Sequence, residues 1–220
     1  MEGKVVVITG ASRGIGRATA LAMAAAGARV VIAARTAVQL QALAEEIEAQ
    51  TGTPALVSLT DIAREEDVRR KVAAAHEAYG RIDVLVNNAG FNTRKCKIWE
   101  LETDEWDTML AVNLRGAFLC CREVLPGMIA RRSGHVINVI STASQIGLED
   151  MGAYGATKWG LLGLTKSLIK EARPYNVRVT ALSPGGTDTT FRGEPRPQYL
   201  APENAVVHDM VLGPIVETNF

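Results

Sequence analysis

The chain has 220 residues, a length that suits one domain or at most two small ones. Hydrophobic residues make up 47% and charged residues 22%, the ordinary balance of a globular protein with a sizeable core. Basic and acidic residues are equal in number at 24 each, so the composition argues against nucleic acid and against a strongly charged protein partner.

Cysteine content and the amino terminus favour a cytoplasmic location. There are three cysteines, of which Cys120 and Cys121 are adjacent, so neither a disulfide framework nor a metal-ligand spacing is present. Met1 leads almost directly into a strand, which leaves no room for a secretion leader. The longest apolar stretches are too short to cross a bilayer, so we expect no membrane segment.

Strand and helix patterns alternate along most of the chain. Short apolar runs predict six strands at residues 5–9, 29–34, 55–59, 82–86, 135–140 and 177–182. Helical patterns lie between them, including a long helix at 104–129 that begins after Thr103 and another that reaches residue 172. This alternation predicts a parallel α/β sheet in a single domain, residues 1–220.

The carboxyl-terminal part is predicted from weaker patterns. Residues from about 187 to 205 are polar and contain prolines, which is typical of a flap over a substrate. A short helix is predicted at 202–211 and an edge strand at 215–220, which makes a seventh strand an option.

A glycine-rich segment separates the first strand from the first helix. Glycines can take positive φ and let backbone amides approach a ligand, and a helix amino terminus favours phosphate. The segment therefore predicts a nucleotide-phosphate site, although its spacing is Gly-x-x-x-Gly-x-Gly and many turns are glycine-rich. Its candidate residues are Gly10, Ser12, Arg13, Gly14, Ile15 and Gly16.

Arg35 follows the second strand, where an acidic residue would bind the ribose 2'-hydroxyl of NAD. An arginine there, helped by Arg13, could instead pair with a 2'-phosphate, so NADP(H) is favoured over NAD(H). Asp61 ends the third strand and could contact adenine or cap the next helix; both alternatives stay open.

Two further polar positions stand out. Asn87-Asn88-Ala89-Gly90 ends the fourth strand with small and amide residues, which could leave space for a flat ligand or form only a turn. Asn113 falls in the middle of the long helix, where asparagine is unfavourable, so it is either a structural hydrogen-bonding residue or part of a site.

Tyr154 and Lys158 are spaced to share one helix face. An ammonium beside a phenol favours the phenolate, so the tyrosine pKa should fall toward working pH and make Tyr154 a proton donor and acceptor. Ser141 lies at the end of the fifth strand and could hydrogen-bond the same substrate oxygen. Taken alone, Tyr-x-x-x-Lys also occurs by chance on ordinary helices.

Together these motifs resemble the short-chain dehydrogenase/reductase family over residues 4 to 192, approximately. The resemblance implies a Rossmann-type doubly wound parallel sheet with strand order 3-2-1-4-5-6 and with helices on both faces. It also implies that Tyr154 is the general acid/base, that Ser141 positions the carbonyl oxygen, that Lys158 holds the nicotinamide ribose, and that Asn113 anchors a water relay.

The family pattern extends to the cofactor site. Asp61 would contact adenine, Asn87 and Gly90 would line the cleft, and Thr189 would contact the carboxamide. The remaining positions that match cofactor-binding motifs are Ala89, Pro184, Gly185 and Thr187.

We therefore expect a NAD(P)(H)-dependent oxidoreductase that interconverts a small-molecule carbonyl and a secondary alcohol. The main hypothesis is an NADPH-dependent carbonyl or 3-oxoacyl reductase; a gluconate-type sugar-acid dehydrogenase is the alternative, and a non-catalytic NADP-binding sensor is a third hypothesis. A homodimer built on the two long helices is expected, with a homotetramer as the alternative. Candidate substrate residues are Arg94, Gln145, Met151 and Phe191.

Overall fold

The computed structural model describes residues 1–185 and 207–212. Seven strands form one sheet in the order β3-β2-β1-β4-β5-β6-β7. The strands are β1 (Val5–Thr9), β2 (Arg29–Ala34), β3 (Leu56–Leu59), β4 (Val84–Asn87), β5 (Gly134–Val139), β6 (Val177–Pro184) and β7 (Val207–Leu212). The first six are parallel and follow the order that was predicted, so the predicted Rossmann-type sheet is confirmed.

Helices connect the strands. They are α1 (Gly14–Ala25), α2 (Ala37–Thr51), α3 (Glu65–Tyr79), α4 (Thr103–Leu110), α5 (Gly116–Ala130) and α6 (Gly152–Ala172). No helix among the described residues combines the length and apolar character needed to cross a membrane.

Side chains of the central strands are buried on both faces of the sheet. In β1, Val5 and Val7 pack in one cluster with residues of α3, α5 and α6, whereas Val6 and Ile8 pack in a second cluster with residues of α1 and α2. Successive side chains of a strand point to opposite faces, so a strand covered by helices on both sides must be continuously apolar. This explains the continuous apolar runs at residues 5–8 of β1 and 30–34 of β2.

The predicted long helix is interrupted. Residues Ala111–Arg115 form one π-helical turn between α4 and α5, in which the Gly116 N–H donates to the Ala111 carbonyl. A π-turn inserts an extra residue and is common at functional sites. Thr103 is the first helical residue and Glu102 takes the cap position, where its N–H donates to the Glu105 carboxylate at 3.3 Å.

The prediction of a helix at 202–211 was wrong in its main part. Residues Val207–Leu212 are β7, which pairs antiparallel with β6. The outer edge of β6 offers unpaired backbone groups, and pairing with them is a long-range interaction that local propensity does not describe. The predicted flap, Phe191 and the predicted strand at 215–220 lie outside the described residues.

Candidate active site

The glycine-rich loop lies at the carboxyl end of β1. Gly10 and Gly14 have φ angles of 65° and 56°, which residues other than glycine rarely adopt. A Cβ on Gly16 would lie 2.3 Å from the Gly10 carbonyl oxygen, so α1 packs directly on the turn. Arg13 precedes α1 and its side chain makes no capping hydrogen bond. The amino terminus of α1 therefore has backbone donors suited to a phosphate. Ser12 in the loop and Ile15 in the first turn of α1 are both half-buried.

The loop after β4 is attached to this turn through Asn88, which is not among the residues predicted for the site. Its Nδ2 donates to the carbonyls of Thr9 and Gly10 at 3.0 and 3.2 Å. The Thr9 hydroxyl in turn accepts the N–H groups of Asn88 and Ala89, both at 3.1 Å. Asn88 and Thr9 thus join the two loops that border the cleft. The second asparagine of the Asn-Asn pair was the only sequence feature that could have indicated this role.

Asn87 is directed into the core beside the cleft. Its Nδ2 donates to Asn138 Oδ1 on β5 at 2.9 Å, and Asn138 donates to the Thr165 hydroxyl at 2.9 Å. These buried amides connect β4, β5 and α6 just below the point where the strands end. The hydrogen bonds from Asn87 to Asn138 and from Asn138 to Thr165 help to keep that end of the sheet in register.

The candidate residues for binding a 2'-phosphate also lie at the carboxyl ends of the strands. Arg13 and Arg35 are both exposed, and their loops are joined where the Ala11 N–H donates to the Ala33 carbonyl at 3.2 Å. Asp61 accepts the Ala63 N–H at 3.0 Å, which is an Asx-type turn, and the cap position of α3 belongs to Arg64. The carboxyl ends of β1, β2 and β3 thus bring all three candidates to one side of the cleft.

Asn113 is held by the loop after β4. Its Oδ1 accepts the Phe91 N–H at 2.9 Å, and its Nδ2 donates to the Phe91 carbonyl at 2.8 Å and to the Thr157 hydroxyl at 3.1 Å. Thr157 donates to the Tyr154 carbonyl at 2.7 Å. The π-turn therefore delivers a buried amide that joins the loop to the first turn of α6. Thr157 was missed; a threonine on the buried face of a helix between Tyr154 and Lys158 could have indicated it.

Lys158 lies between Tyr154 and the glycine of the β4 loop. Its Nζ is 5.7 Å from the centroid of the Tyr154 ring and donates to the Val139 carbonyl at 2.9 Å. A Cβ on Gly90 would be 3.4 Å from this Nζ, so the β4 loop passes in van der Waals range of the ammonium. Burial lowers the pKa of Lys158 to about 8, because a charged amine loses hydration there.

Ser141 follows β5, and its hydroxyl accepts the Ala143 N–H at 3.2 Å. The neighbouring Ser144 hydroxyl donates to the Ser141 carbonyl at 2.6 Å, which fixes the turn. The turn after β5, helix α6 and the π-turn therefore bring the four candidate catalytic residues to one end of the sheet: Ser141, Tyr154, Lys158 and Asn113. Pro184 ends β6 at that same edge and Gly185 follows it, whereas Thr187 and Thr189 fall outside the part of the chain that is described.

The candidate substrate residues are in different environments. Met151 is buried in an apolar cluster with Tyr154, and Gln145 is exposed. Arg94 is exposed, but its guanidinium is paired with Glu105 at 3.1 Å. The structure thus brings Met151 to Tyr154 and gives Arg94 a partner of its own.

The geometry of the cleft fits a dinucleotide. Positive-φ glycines and the amino terminus of α1 form one part, and Gly90 with Lys158 forms another, separated by the Thr9–Asn88 connection. Backbone donors at one place and a cation with a phenol at the other are the groups needed for a phosphate and a reacting carbonyl.

The family model for short chain dehydrogenases matches residues 4–200. A 3-oxoacyl-(acyl-carrier-protein) reductase FabG of Thermotoga maritima is 40% identical over 191 residues, covering 86% of this chain and 76% of the relative. A trans-4-hydroxycyclohexanecarboxylate dehydrogenase of Sinomonas cyclohexanicum is also 40% identical over 191 residues, covering 84% and 73%.

Solved structures agree with these sequence relatives. A metagenomic short-chain oxidoreductase in complex with NADP has a TM-score of 0.80 at 41% identity, over 84% of this chain and 83% of that one. Levodione reductase has a TM-score of 0.84 at 33% identity, over 87% and 75%. The chain therefore belongs to the short-chain dehydrogenase/reductase family and is an oxidoreductase.

Proposed function

We propose that the protein is an NADPH-dependent reductase that converts a carbonyl compound into a secondary alcohol, reversibly. One observation carries the proposal: the Lys158 ammonium lies between the Tyr154 ring and the Gly90 loop, so an acid/base pair faces a cleft suited to a dinucleotide. The 3-oxoacyl reductase activity named for a relative at 40% identity supports the same reaction class.

The bound nicotinamide would supply the hydride, and the chain's own residues would manage the oxygen and its proton. Tyr154 would give its phenolic proton to the carbonyl oxygen during reduction. The Ser141 hydroxyl would hydrogen-bond the same oxygen and hold it beside the phenol. The Lys158 charge would favour the phenolate that remains, and in the reverse direction this phenolate would take the proton from the alcohol hydroxyl.

Asn113 and Thr157 would keep this acid/base pair in place. Asn113 would hold α6 to the loop after β4, because its amide donates to the Thr157 hydroxyl and bonds both backbone groups of Phe91. Thr157 in turn donates to the Tyr154 carbonyl within α6. The family role of Asn113 as an anchor for a water relay adds to this positioning and is part of the proposal.

The test of the catalytic role is Tyr154→Phe. Loss of a positioned acid should lower kcat about 100- to 10,000-fold and leave NADPH binding within a factor of about two. Tyr175→Phe, at an exposed tyrosine outside the cleft, is the matched control and should keep full activity. Turnover by Tyr154→Phe at the wild-type rate would disprove the role.

The preference for NADPH is proposed from Arg35 and Arg13. An arginine fork binds a phosphate dianion in bidentate fashion, whereas no acidic residue follows β2 to bind a free 2'-hydroxyl. The NADP complex of a relative supports the choice. Titration should show NADPH bound more tightly than NADH, with Arg35→Asp reversing the order. Arg29→Asp makes the same charge change at the amino end of β2, away from the cleft, and should leave NADPH bound more tightly than NADH.

We also propose a homodimer through α5 and α6. Phe118 on α5 and Trp159 on α6 are 43% and 51% exposed, so each of these two helices presents a large apolar side chain that a second copy could cover. Trp159→Glu should convert the dimer to a monomer in analytical ultracentrifugation. An unchanged sedimentation coefficient would contradict this interface.

A further inference from the structure

Two segments flank Tyr154 and are fastened to each other. We call them the rim: residues 91–105, which follow β4, and residues 145–152, which lead into α6. The Cys96 N–H donates to the Asp150 carbonyl at 3.1 Å, and Lys97 Nζ lies 3.0 Å from Asp150 Oδ1. Ile98 packs against Gly152, where an added Cβ would lie 3.3 Å from its Cδ1. The rim therefore borders the position of a substrate that reacts at Tyr154.

Two of the three basic residues of the rim are bound to acidic partners within it. Arg94 pairs with Glu105 at 3.1 Å and donates to the Glu100 carbonyl at 2.7 Å. Lys97 pairs with Glu149 at 2.5 Å as well as with Asp150. The Arg94 hydrogen bond lowers the pKa of Glu105, so that carboxylate stays charged at neutral pH. An anionic substrate would have to compete with these partners.

The rim as a whole is negative, in a chain whose net charge is zero. It holds six acidic residues and three basic ones. Fixed charges near a cleft raise the local concentration of oppositely charged ligands and lower that of like-charged ones. A carboxylate or phosphate on the substrate would therefore be repelled.

The inner wall of the same region is apolar. Tyr154 packs with Met109, Ala143, Met151 and Ala153, and partly buried Phe91, Leu101, Trp106 and Leu148 extend the cluster. Towards solvent, Ile98, Trp99 and Ile146 are more than half exposed. A pocket wall of this kind gains free energy by covering the hydrocarbon body of a ligand.

We infer that the substrate is an uncharged carbonyl compound with an apolar body, and that Glu105 determines this specificity by neutralising Arg94. The inference rests on the proposed function for the site at Tyr154. It selects a neutral ketone over the sugar acid that the sequence also allowed.

The test compares one ring in two charge states. The substrates are 4-oxocyclohexanecarboxylate and its methyl ester, and kcat/KM is measured with NADPH at low ionic strength. We expect the ester to be favoured about tenfold, with the ratio falling as salt is added, because like charges at the rim are screened.

Three variants separate the contribution of Glu105 from general charge. Glu105→Gln keeps an acceptor for the Glu102 N–H and leaves the Arg94 charge uncompensated, so the ester-to-acid ratio should fall about fivefold. Glu105→Gln combined with Arg94→Gln should restore the ratio. Asp107→Asn, on the same helix, removes one negative charge without releasing a paired cation and should change the ratio less.

A binding measurement separates this inference from the proposed function. Binding of both compounds to the NADPH complex of Tyr154→Phe is followed by tryptophan fluorescence, which requires no turnover. Tighter binding of the ester supports the inference even if the wild type reduces neither compound, a result that would reject only the proposed function. Equal or tighter binding of the acid, binding of neither compound, or a ratio unchanged by Glu105→Gln would overturn the inference.

Discussion

Replacement of Lys158 by methionine should increase stability while it removes activity. The pKa of Lys158 falls from its ordinary 10.5 to about 8 because the amine is buried. Keeping that amine charged at pH 7 therefore costs about 3 kcal/mol. Methionine has similar length and no charge to bury, although loss of the hydrogen bond to the Val139 carbonyl costs about 1–3 kcal/mol. We expect Lys158→Met to be more stable at pH 7 by about 1 kcal/mol.

The pH dependence gives the more specific test. Between pH 8 and 10.5 the unfolded chain still holds the lysine proton and the folded chain has lost it, so the free energy of unfolding of the wild type rises with pH in this window. This added stability is lost as the pH falls through 8, because the buried amine then takes up its proton in the folded protein. Relative to Lys158→Met, the wild type should therefore gain about 3 kcal/mol from pH 8 to 10.5.

The assay is urea unfolding of the cofactor-free proteins, followed by circular dichroism at pH 7, 8, 9 and 10. The control is Lys166→Met, at an exposed lysine on the same helix, and its free energy of unfolding should change with pH as that of the wild type does. If Lys158→Met also runs parallel to the wild type, the amine is not buried in a charged state and the argument fails. A stability gain together with lost turnover is the expected trade-off at a functional site.

Two further predictions concern the glycine loop and acid stability. Gly16→Ala should abolish NADPH binding in a titration, because its Cβ would lie 2.3 Å from the Gly10 carbonyl oxygen; Ala18→Gly on the exposed face of α1 should cost about 1 kcal/mol of stability and still bind. Burial, with a contribution from Arg178, lowers the pKa of His135 to about 4, so stability should fall as pH drops from 6.5 to 4. His135→Gln should flatten that part of the thermal-midpoint curve, and an unchanged slope would count against the assignment.

The parallel sheet could be predicted because each of its buried strands is a recognisable apolar run in the sequence. Residues 5–8 and 30–34 are buried on both faces and are apolar, which is visible in a short stretch of sequence. The strand at 207–212 could not be predicted in this way, since it exists by pairing with the edge of β6, far away in sequence. Its residues were assigned to a helix on local pattern alone.

For the candidate site too, local features could be predicted and long-range contacts could not. The types of residue in the site could be predicted from the sequence: glycines between a strand and a helix, Tyr154 four residues before Lys158, and an arginine in place of an acid at position 35. These follow from local geometry, where chain spacing sets which groups share a turn or a helix face.

The contacts of these groups depend on the three-dimensional fold. It joined Asn88 to Thr9 across two strands, buried Lys158 so that its pKa falls, and gave Arg94 a carboxylate partner in Glu105. Hydrogen bonds, desolvation and ion pairing all depend on distances between residues far apart in the chain. A sequence can therefore indicate which chemistry is present, and the folded arrangement determines which of its charges are available to a substrate.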